Sequence, residues 1–434
     1  MVDFKKDMIV CGVGIEALKT HLKRLSEGQA KVSGALIDDA VLAIKDQVLK
    51  AQDAALLQLT EAFDGSKLNS IFVTKEEIKN AYEYVSDTWL KSIKRAKENI
   101  ESFHSHQLPK SWEDKPQEGV SYGWRFSPLD AVGLYVPGGQ AIYPSSVLMN
   151  AIPAKLAGVK RTVMVSPPQK DGSLPASVLV AADLCGVDEI YKVGGAQAIF
   201  ALAYGTQSVK KVDKIVGPGN AYVTAAKQMV YGVVDIDKPA GPSEVLVVVN
   251  DDLYIKYAAA EMLAQCEHDK DAFAVCVTQN KTIFELLSDE IIKQAKVLNR
   301  QDILKTSIAN CGVFLAADKK EALDMINEGA SEHLALVLDD AKDWLADIRH
   351  AGSIFCGPYS PVALGDYIAG PNHVLPTLGA ARFASPLWVG DFLKGNAVLS
   401  YSKKALDGIK EDLAELALLE GLDGHNRSVQ KRFE

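Results

Sequence analysis

The sequence predicts an α/β protein built on two Rossmann-like parallel-sheet domains, with a helical N-terminal part and a C-terminal extension. Three observations carry this. From about residue 130, short β-branched runs alternate with alanine-rich helical stretches, as βαβ units do, and the alternation is long enough for two sheets. Before residue 106, apolar residues recur instead at three- and four-residue spacing, the period of a helix with one buried face. Finally, 434 residues exceed what one ordinary core holds, so two or three domains are expected.

Taken in order, residues 34–106 read as helices, with LIDDAVLAIKDQVLKAQDAALLQLTEAF followed by KEEIKNAYEYVSDTWLKSIKRAKENIESFH. Thr74 before KEE is the expected N-cap, because a hydroxyl accepts from the free N–H groups of a first turn. The polar stretch SWEDKPQEGVSYGWRFSP reads as a connection. The runs TVMVS, EIYKV, VDKIV, EVLVVV, FAVCV, CGVFLA and HLALVL then read as strands. The expected division is an N-terminal segment over 1–33, a catalytic α/β domain from 34–125 with 242–385, a nucleotide-binding Rossmann-like domain over 126–241, and an extension over 386–434. No low-complexity segment and no fixed-period repeat interrupts this order.

Charge and composition exclude several function classes. A net charge of −9 offers no basic face for a phosphate backbone, so no nucleic-acid partner is expected. MVDFKKDMIVCG lacks an apolar leader core, and no stretch approaches the roughly 20 apolar residues of a membrane span, so a cytoplasmic protein is expected. The six cysteines form no C-x-x-C pair, which argues against a disulfide framework and against a cysteine-rich structural zinc site.

Chemistry enters at three glycine-rich strand-to-helix junctions, LYVPGGQAIYPSSVLMNA, YKVGGAQAIFALAYG and KIVGPGNAYVTAAKQMV. Glycine admits close backbone approach, and a helix N-terminus offers N–H groups to anions, so the junctions suit a nucleotide's phosphates. Tight turns made only for packing would give the same pattern. None is G-x-G-x-x-G; the near match GVGIEA at 12–17 follows too short a strand and lacks the acidic residue expected after a second one.

A second concentration of reactive groups is LAQCEHDKDAF, residues 263–273, near the end of a helix expected to begin around Leu253. At about 100° per residue, Gln265 and His268 lie about 60° apart on one face, whereas Cys266 and His268 are about 160° apart. That geometry pairs Gln265 with His268 and sends Cys266 to the core. A surface histidine at a helix C-terminus remains the plainer alternative. Of the other histidines, His21, His104, His106 and His350 read as surface residues. His333 stands beside Glu332 before an apolar strand, His373 in the Gly/Pro-rich LGDYIAGPNHVLPT with Asp366 seven residues earlier, and His425 after two helix-breaking glycines.

These motifs, with GLYVPGG, YPSSVLMNAIPAKLAGV, GGAQAI, VDKIVGPGNAYV, AGPSEVLVV, SEHL, PYSPVALGDYIAGPNHVLPT, ARFASPL and EGLDGH, resemble in order those of the histidinol dehydrogenase family. The resemblance runs from about residue 50 to the end. Two departures are Ser331, where proline often precedes the Glu-His pair, and KAQDAAL in place of a basic-Gly-Asp turn.

The resemblance implies a four-electron oxidation of L-histidinol through L-histidinal to L-histidine, with two NAD consumed, as the last step of histidine biosynthesis. It implies His333 as the base and Glu332 as the group that activates water. Adjacent side chains on a strand point to opposite faces, so the two can cooperate only from a turn before the strand becomes regular. One zinc ion per subunit would be held by Gln265, His268, Asp366 and His425, an open N/O set unlike a closed structural site. Substrate contacts would come from Ser243, His373 and Glu420 besides His333 and the metal ligands, and NAD contacts from Tyr135, Gln197 and Asn220. The C-terminal extension would cross a homodimer, so that Glu420 and His425 complete the partner's site.

Rival readings are a same-family dehydrogenase of another small alcohol such as sulfopropanediol, a zinc hydrolase with Glu332 activating metal-bound water, and a non-catalytic metal-binding scaffold. YPSS, GPSE, Glu420, His425 and His373 favour histidinol; the hydrolase leaves the glycine-rich junctions unexplained, and the Glu-His pair argues against a scaffold.

Overall fold

The computed structural model describes residues 4–32, 35–138, 142–238 and 241–434. Strand β1 (Val10–Val13) leads into helices α1 (Ile15–Val32), α2 (Ala35–Ala51), α3 (Asp53–Asp64), α4 (Lys75–Ala81) and α5 (Asp87–Ser105), then β2 (Trp112–Gln117) and β3 (Val120–Pro128). The first βα run is β4 (Ala131–Tyr135), α6 (Pro144–Ala157), β5 (Arg161–Ser166), α7 (Ala176–Leu184), β6 (Glu189–Lys192), α8 (Gly195–Tyr204), β7 (Lys214–Val216), α9 (Ala221–Val230) and β8 (Asp235–Ile236). The second is β9 (Glu244–Val249), α10 (Ile255–Cys266), β10 (Phe273–Thr278), α11 (Lys281–Ala295), α12 (Gln301–Ser307), β11 (Gly312–Leu315), α13 (Lys319–Gly329), β12 (His333–Val337), β13 (Ser353–Cys356) and α14 (Val362–Tyr367). The chain ends with β14 (Leu393–Tyr401), α15 (Lys403–Asp407), α16 (Lys410–Leu419) and α17 (Asp423–Gln430).

Two parallel sheets result, as expected. One has five strands in the order β6-β5-β4-β7-β8, the other six in the order β1-β11-β10-β9-β12-β13. Parallel strands covered on both faces must be apolar throughout, and β9 and β12 are buried at every position. Four apolar cores follow, one on each face of each sheet. The expected cap is present: Thr74 Oγ accepts from Glu77 N–H at 3.2 Å, and the Glu77 carboxylate accepts from Thr74 N–H at 2.8 Å.

The packing differs from the expected division in two places. β1, from the N-terminal segment, is an edge strand of the six-stranded sheet. The helices of 35–105 pack on the five-stranded sheet, Val41, Ile44 and Val48 of α2 on one face and Ile93, Ala96 and Ile100 of α5 on the other. Both faces of that sheet are apolar and need this cover.

SWEDKPQEGVSYGWRFSP is no mere connection. It forms the hairpin β2-β3, which pairs antiparallel with β14 from the C-terminal extension in a three-stranded sheet. β2 is exposed throughout, so no apolar alternation announces it.

Two histidines read as surface groups are buried. His21 follows Leu18 by three residues and precedes Leu25 by four, and so falls on the inward stripe of α1. His104 continues the stripe Ile93, Ala96, Ile100 of α5. Each has partners: His21 Nε2–H donates to the Asn310 carbonyl at 3.1 Å, and His104 Nδ1–H to Gln107 Oε1 at 2.7 Å. Burial pushes the His21 ring down to about 4, with nearby Arg24 adding to the shift.

Below pH 6.5 the unfolded chain therefore binds a proton at His21 that the folded chain refuses, so stability falls as pH drops from 6.5 towards 4. Of that loss about 3 kcal/mol belongs to His21. A His21→Gln variant is expected to show a pH slope smaller by this amount in urea unfolding over that range; an unchanged slope would contradict the burial of a neutral ring.

Candidate active site

β8 ends at Ile236 and β9 begins at Glu244, so in the chain the carboxyl end of an edge strand of the five-stranded sheet is followed closely by the amino end of a central strand of the six-stranded one. Hydrogen bonds tie residues near this passage to segments distant in the sequence. Lys238 Nζ donates to Ser385 O at 2.6 Å, Gly241 N–H to Thr377 Oγ1 at 2.7 Å, and Ser146 Oγ lies 3.3 Å from His373 Nε2. Residues 139–141 of the first glycine-rich junction and Ala240 of AGPSEVLVV lie outside the described residues.

Of the pair expected in a turn before the strand, only Glu332 lies in it; His333 already belongs to β12. Ala330 ends α13 in the left-handed region (φ 43°), Glu332 lies in the bend that follows, and His333 is the first residue of β12. Both side chains are thereby brought together, with His333 Nδ1 3.5 Å from Glu332 Oε2. A carbonyl only accepts, so the 3.1 Å contact between His333 Nδ1 and Glu244 O places the proton on Nδ1. Nε2 has no hydrogen-bond partner and lies 3.7 Å from Asp366 Oδ1. The ring is 5% exposed. Burial opposes its charge, but the carboxylates of Glu332 and Asp366 outweigh burial and raise its pKa to about 10. Between these two carboxylates the ring favours its protonated form.

Gln265 and His268 are close in the chain but unlike in setting. α10 ends at Cys266, earlier than expected; Gln265 is buried with its Nε2 unpartnered, and His268 is exposed in the turn beyond, its N–H donating to Gln265 O at 3.2 Å. Cys266 lies in the core, as the helical geometry required, its sulfur against that of Cys311 at 3.1 Å. Asp366 sits on α14, whose first turn is capped from α10: Val362 N–H donates to Glu261 Oε2 at 3.0 Å, one helical turn before Gln265. Burial resists the Asp366 charge, yet His333, His373 and His268 together hold its carboxyl below the usual range. His373 Nδ1–H donates to the Asp366 carbonyl at 2.9 Å, and the adjacent Asn372 is anchored to Met149 O at 2.7 Å and to His104 at 3.4 Å. Ser243 lies immediately before β9, at the same edge.

The three positions expected to meet a nucleotide line the carboxyl edge of the five-stranded sheet. Its order, numbered along the chain, is 3-2-1-4-5, that of doubly wound nucleotide folds, with the switch point between β4 and β7. Tyr135 ends β4, Asn220 follows β7, and Gln197 opens α8. Tyr135 is buried, and its hydroxyl accepts Gly195 N–H at 3.1 Å. Gln197 Oε1 is buried and unpartnered, whereas Asn220 Oδ1 caps α9 by accepting Val223 N–H at 3.1 Å.

Sequence reading missed the buried pair beneath this edge, Lys227 and Asp237. Lys227 Nζ donates to Gly217 O at 2.9 Å, and Asp237 Oδ2 accepts Gly217 N–H at 2.8 Å. The pair clamps both polar groups of Gly217, which has φ 116° and leaves no room for a Cβ against the Tyr135 carbonyl.

Glu420 and His425 lie apart from these groups. They sit on the exposed tail, Glu420 at the C-cap of α16 and His425 in α17, and no three His, Cys, Asp or Glu side chains converge as a metal site among the described residues. The backbone bonds that tie the tail to the body run mainly through β14. Leu416, Leu418, Leu419 and Leu422 of the tail are exposed.

The family profile described as histidinol dehydrogenase matches residues 28–433. Histidinol dehydrogenase of Bacillus thuringiensis subsp. konkukian is 48% identical over 426 residues, covering 98% of this chain and 99% of that one. The Caldanaerobacter subterraneus subsp. tengcongensis enzyme is 50% identical over 410 residues, 94% and 95% of the two chains. The crystal structure of histidinol dehydrogenase from Elizabethkingia anophelis superposes with a TM-score of 0.92 at 34% identity, covering 98% of each chain.

Removing one member of a buried ion pair leaves the other charge uncompensated, at a cost of about 3–5 kcal/mol. Lys227→Met is therefore expected to lose about that much stability in urea unfolding, and a loss below about 1 kcal/mol, the value of an exposed pair, would show that the charges are not sequestered.

Proposed function

The chain belongs to the histidinol dehydrogenase family, and on that premise we propose that it oxidises L-histidinol through L-histidinal to L-histidine. The balance is one alcohol, one water and two NAD giving one carboxylate, two NADH and three protons. The observation that carries the reading is the setting of His333, whose Nδ1–H is tied to the Glu244 carbonyl while Nε2 faces the site without a partner. That is the posture of a base for a hydroxyl proton. In the first step His333 in its neutral form takes the alcohol proton on Nε2; the carboxylates of Glu332 and Asp366 favour the imidazolium that forms, and a cation held at Asp366 would offset that bias and return the ring to its neutral form. In the second, Glu332 takes a proton from water as it adds to the aldehyde, and His333 again accepts the hydroxyl proton of the hydrate.

NAD, when bound, receives the hydride at each oxidation. Tyr135, Gln197 and Asn220 would contact it at the switch point, with the unpartnered Gln197 Oε1 ready to accept from it. A zinc ion suits the donor set Gln265, His268 and Asp366 with His425, two imidazole nitrogens and two oxygens, and would supply a grip on the substrate's imidazole and amine. The unpartnered amide nitrogen of buried Gln265 and the charge effect of His268 on Asp366 support that fit. Ser243, His373 and Glu420 complete the substrate contacts in this reading. His425 and Glu420 reach the site from a second subunit: the tail leaves its leucines uncovered and does not bring His425 to His268 and Asp366 of its own chain.

L-Histidinol is expected to yield two NADH per molecule, with activity lost on chelation and restored by zinc; one NADH, or none, removes the four-electron reading. His333→Asn should lower kcat about 10²- to 10⁴-fold. Mixing inactive His333→Asn with inactive His425→Asn under subunit exchange should restore part of the activity, and no rescue would remove the shared site.

A further inference from the structure

Glu244 is a buried carboxyl that neither the proposed proton transfers nor the proposed metal set uses. It is 2% exposed. Its N–H donates to Glu332 Oε2 at 2.9 Å, and its Oε1 accepts Glu332 N–H at 3.0 Å. Its carbonyl accepts His333 Nδ1–H at 3.1 Å. The N–H of Leu378 also reaches its carboxylate, and Leu378, at φ 55°, is one of three non-glycine residues with positive φ among the described residues. A leucine held in that conformation costs energy that its surroundings must supply.

We propose that Glu244 is the positioning residue of the catalytic pair, its side chain fixing the Glu332 peptide, and with it the Glu332 carboxylate and the His333 ring, one step before the β9-β12 ladder begins. This rests on the roles given to Glu332 and His333 above. The ladder pairs His333 with Val245, so Glu332 stands opposite Glu244 with no backbone bond to β9, although its carbonyl accepts Ser353 N–H of β13 at 2.9 Å, and Glu244 and Glu332 continue the β9-β12 pairing through side chains. Without the Glu244 carboxyl, Glu332 N–H loses its acceptor in a buried place and the turn is free to shift. Burial, and then the charge of Glu332, push the Glu244 carboxyl up to about 8. Near neutral pH a glutamine, neutral and of the same length, is therefore its closest replacement.

The test uses zinc-loaded full-length enzyme with L-histidinol and NAD, comparing wild type with Glu244→Gln, Glu244→Asp and Glu244→Ala. Glu244→Ala and Glu244→Asp are expected to lower kcat about tenfold or more, with KM within about threefold, and to displace the pH profile of kcat, as loss of a well-placed acid–base group does. Glu244→Gln is expected to keep both kcat, within about threefold, and the profile. Retention of kcat and profile by the aspartate variant, or equal impairment of the glutamine and aspartate variants, would overturn the proposal. Should the alanine variant fail to fold, the glutamine and aspartate pair decides alone. Wild-type enzyme that forms no NADH from L-histidinol removes the functional reading itself, whereas unaltered variants of an active wild type remove only the role of Glu244.

Discussion

The site depends on the parallel pairing of β9 with β12 at the centre of the six-stranded sheet. His333 pairs with Val245 and Leu334 with Leu246, and a slip of one residue would turn His333 to the opposite face. The register is secured by burial, because Leu246 and Val248 face one core while Val245, Val247 and Val249 face the other. Apolar contacts on both sides thus determine where an imidazole points. The Glu244–Glu332 exchange of hydrogen bonds extends the same pairing past its last regular step.

A second constraint is the closeness of β8 and β9 in the chain, a carboxyl strand end of one sheet followed by an amino strand end of the other. In the proposed reading the five-stranded sheet would bind its ligand at a carboxyl-end switch point, as open parallel sheets do, through Tyr135 and Asn220. The six-stranded sheet would instead offer residues that begin strands, Ser243 before β9 and His333 at the head of β12. A reaction that moves hydride between two bound molecules needs them held face to face. The clamped Gly217 turn on one side and the anchored Asn372–His373 loop on the other are the stiff parts of that junction.

Beyond this edge the chain stops short of self-sufficiency. The tail is fastened through β14 to the exposed hairpin β2-β3, and its leucines face outward. Exposed apolar side chains in a row call for a covering surface. In the proposed shared site a second subunit would cover these leucines and receive His425 together.

Much was legible in the sequence, and for a definable reason. Strands such as EVLVVV and HLALVL are buried on both faces, so unbroken apolar runs announce them, and the helical period sends Cys266 to the core, where it lies. The glycine-rich junctions suggest a nucleotide edge, and the likeness to a family supplies the expected site residues. Solvent hid other features: β2 is exposed throughout, and no period betrays it. His21 and His104 were on inward helical stripes, yet their polarity masked a position that spacing alone reveals. Glu244 entered only as the last residue of GPSE, with no role of its own, since a carboxylate ahead of an apolar strand reads as its wet end. Its partner Glu332 is 88 residues away, and only the pairing of two distant strands turns that charge inward. The sequence by itself determined which segments are strands and helices, because burial period is a local property. Which buried polar groups meet, and at which edge, was decided by the tertiary structure, because hydrogen bonds between distant strands leave no periodic trace in either one.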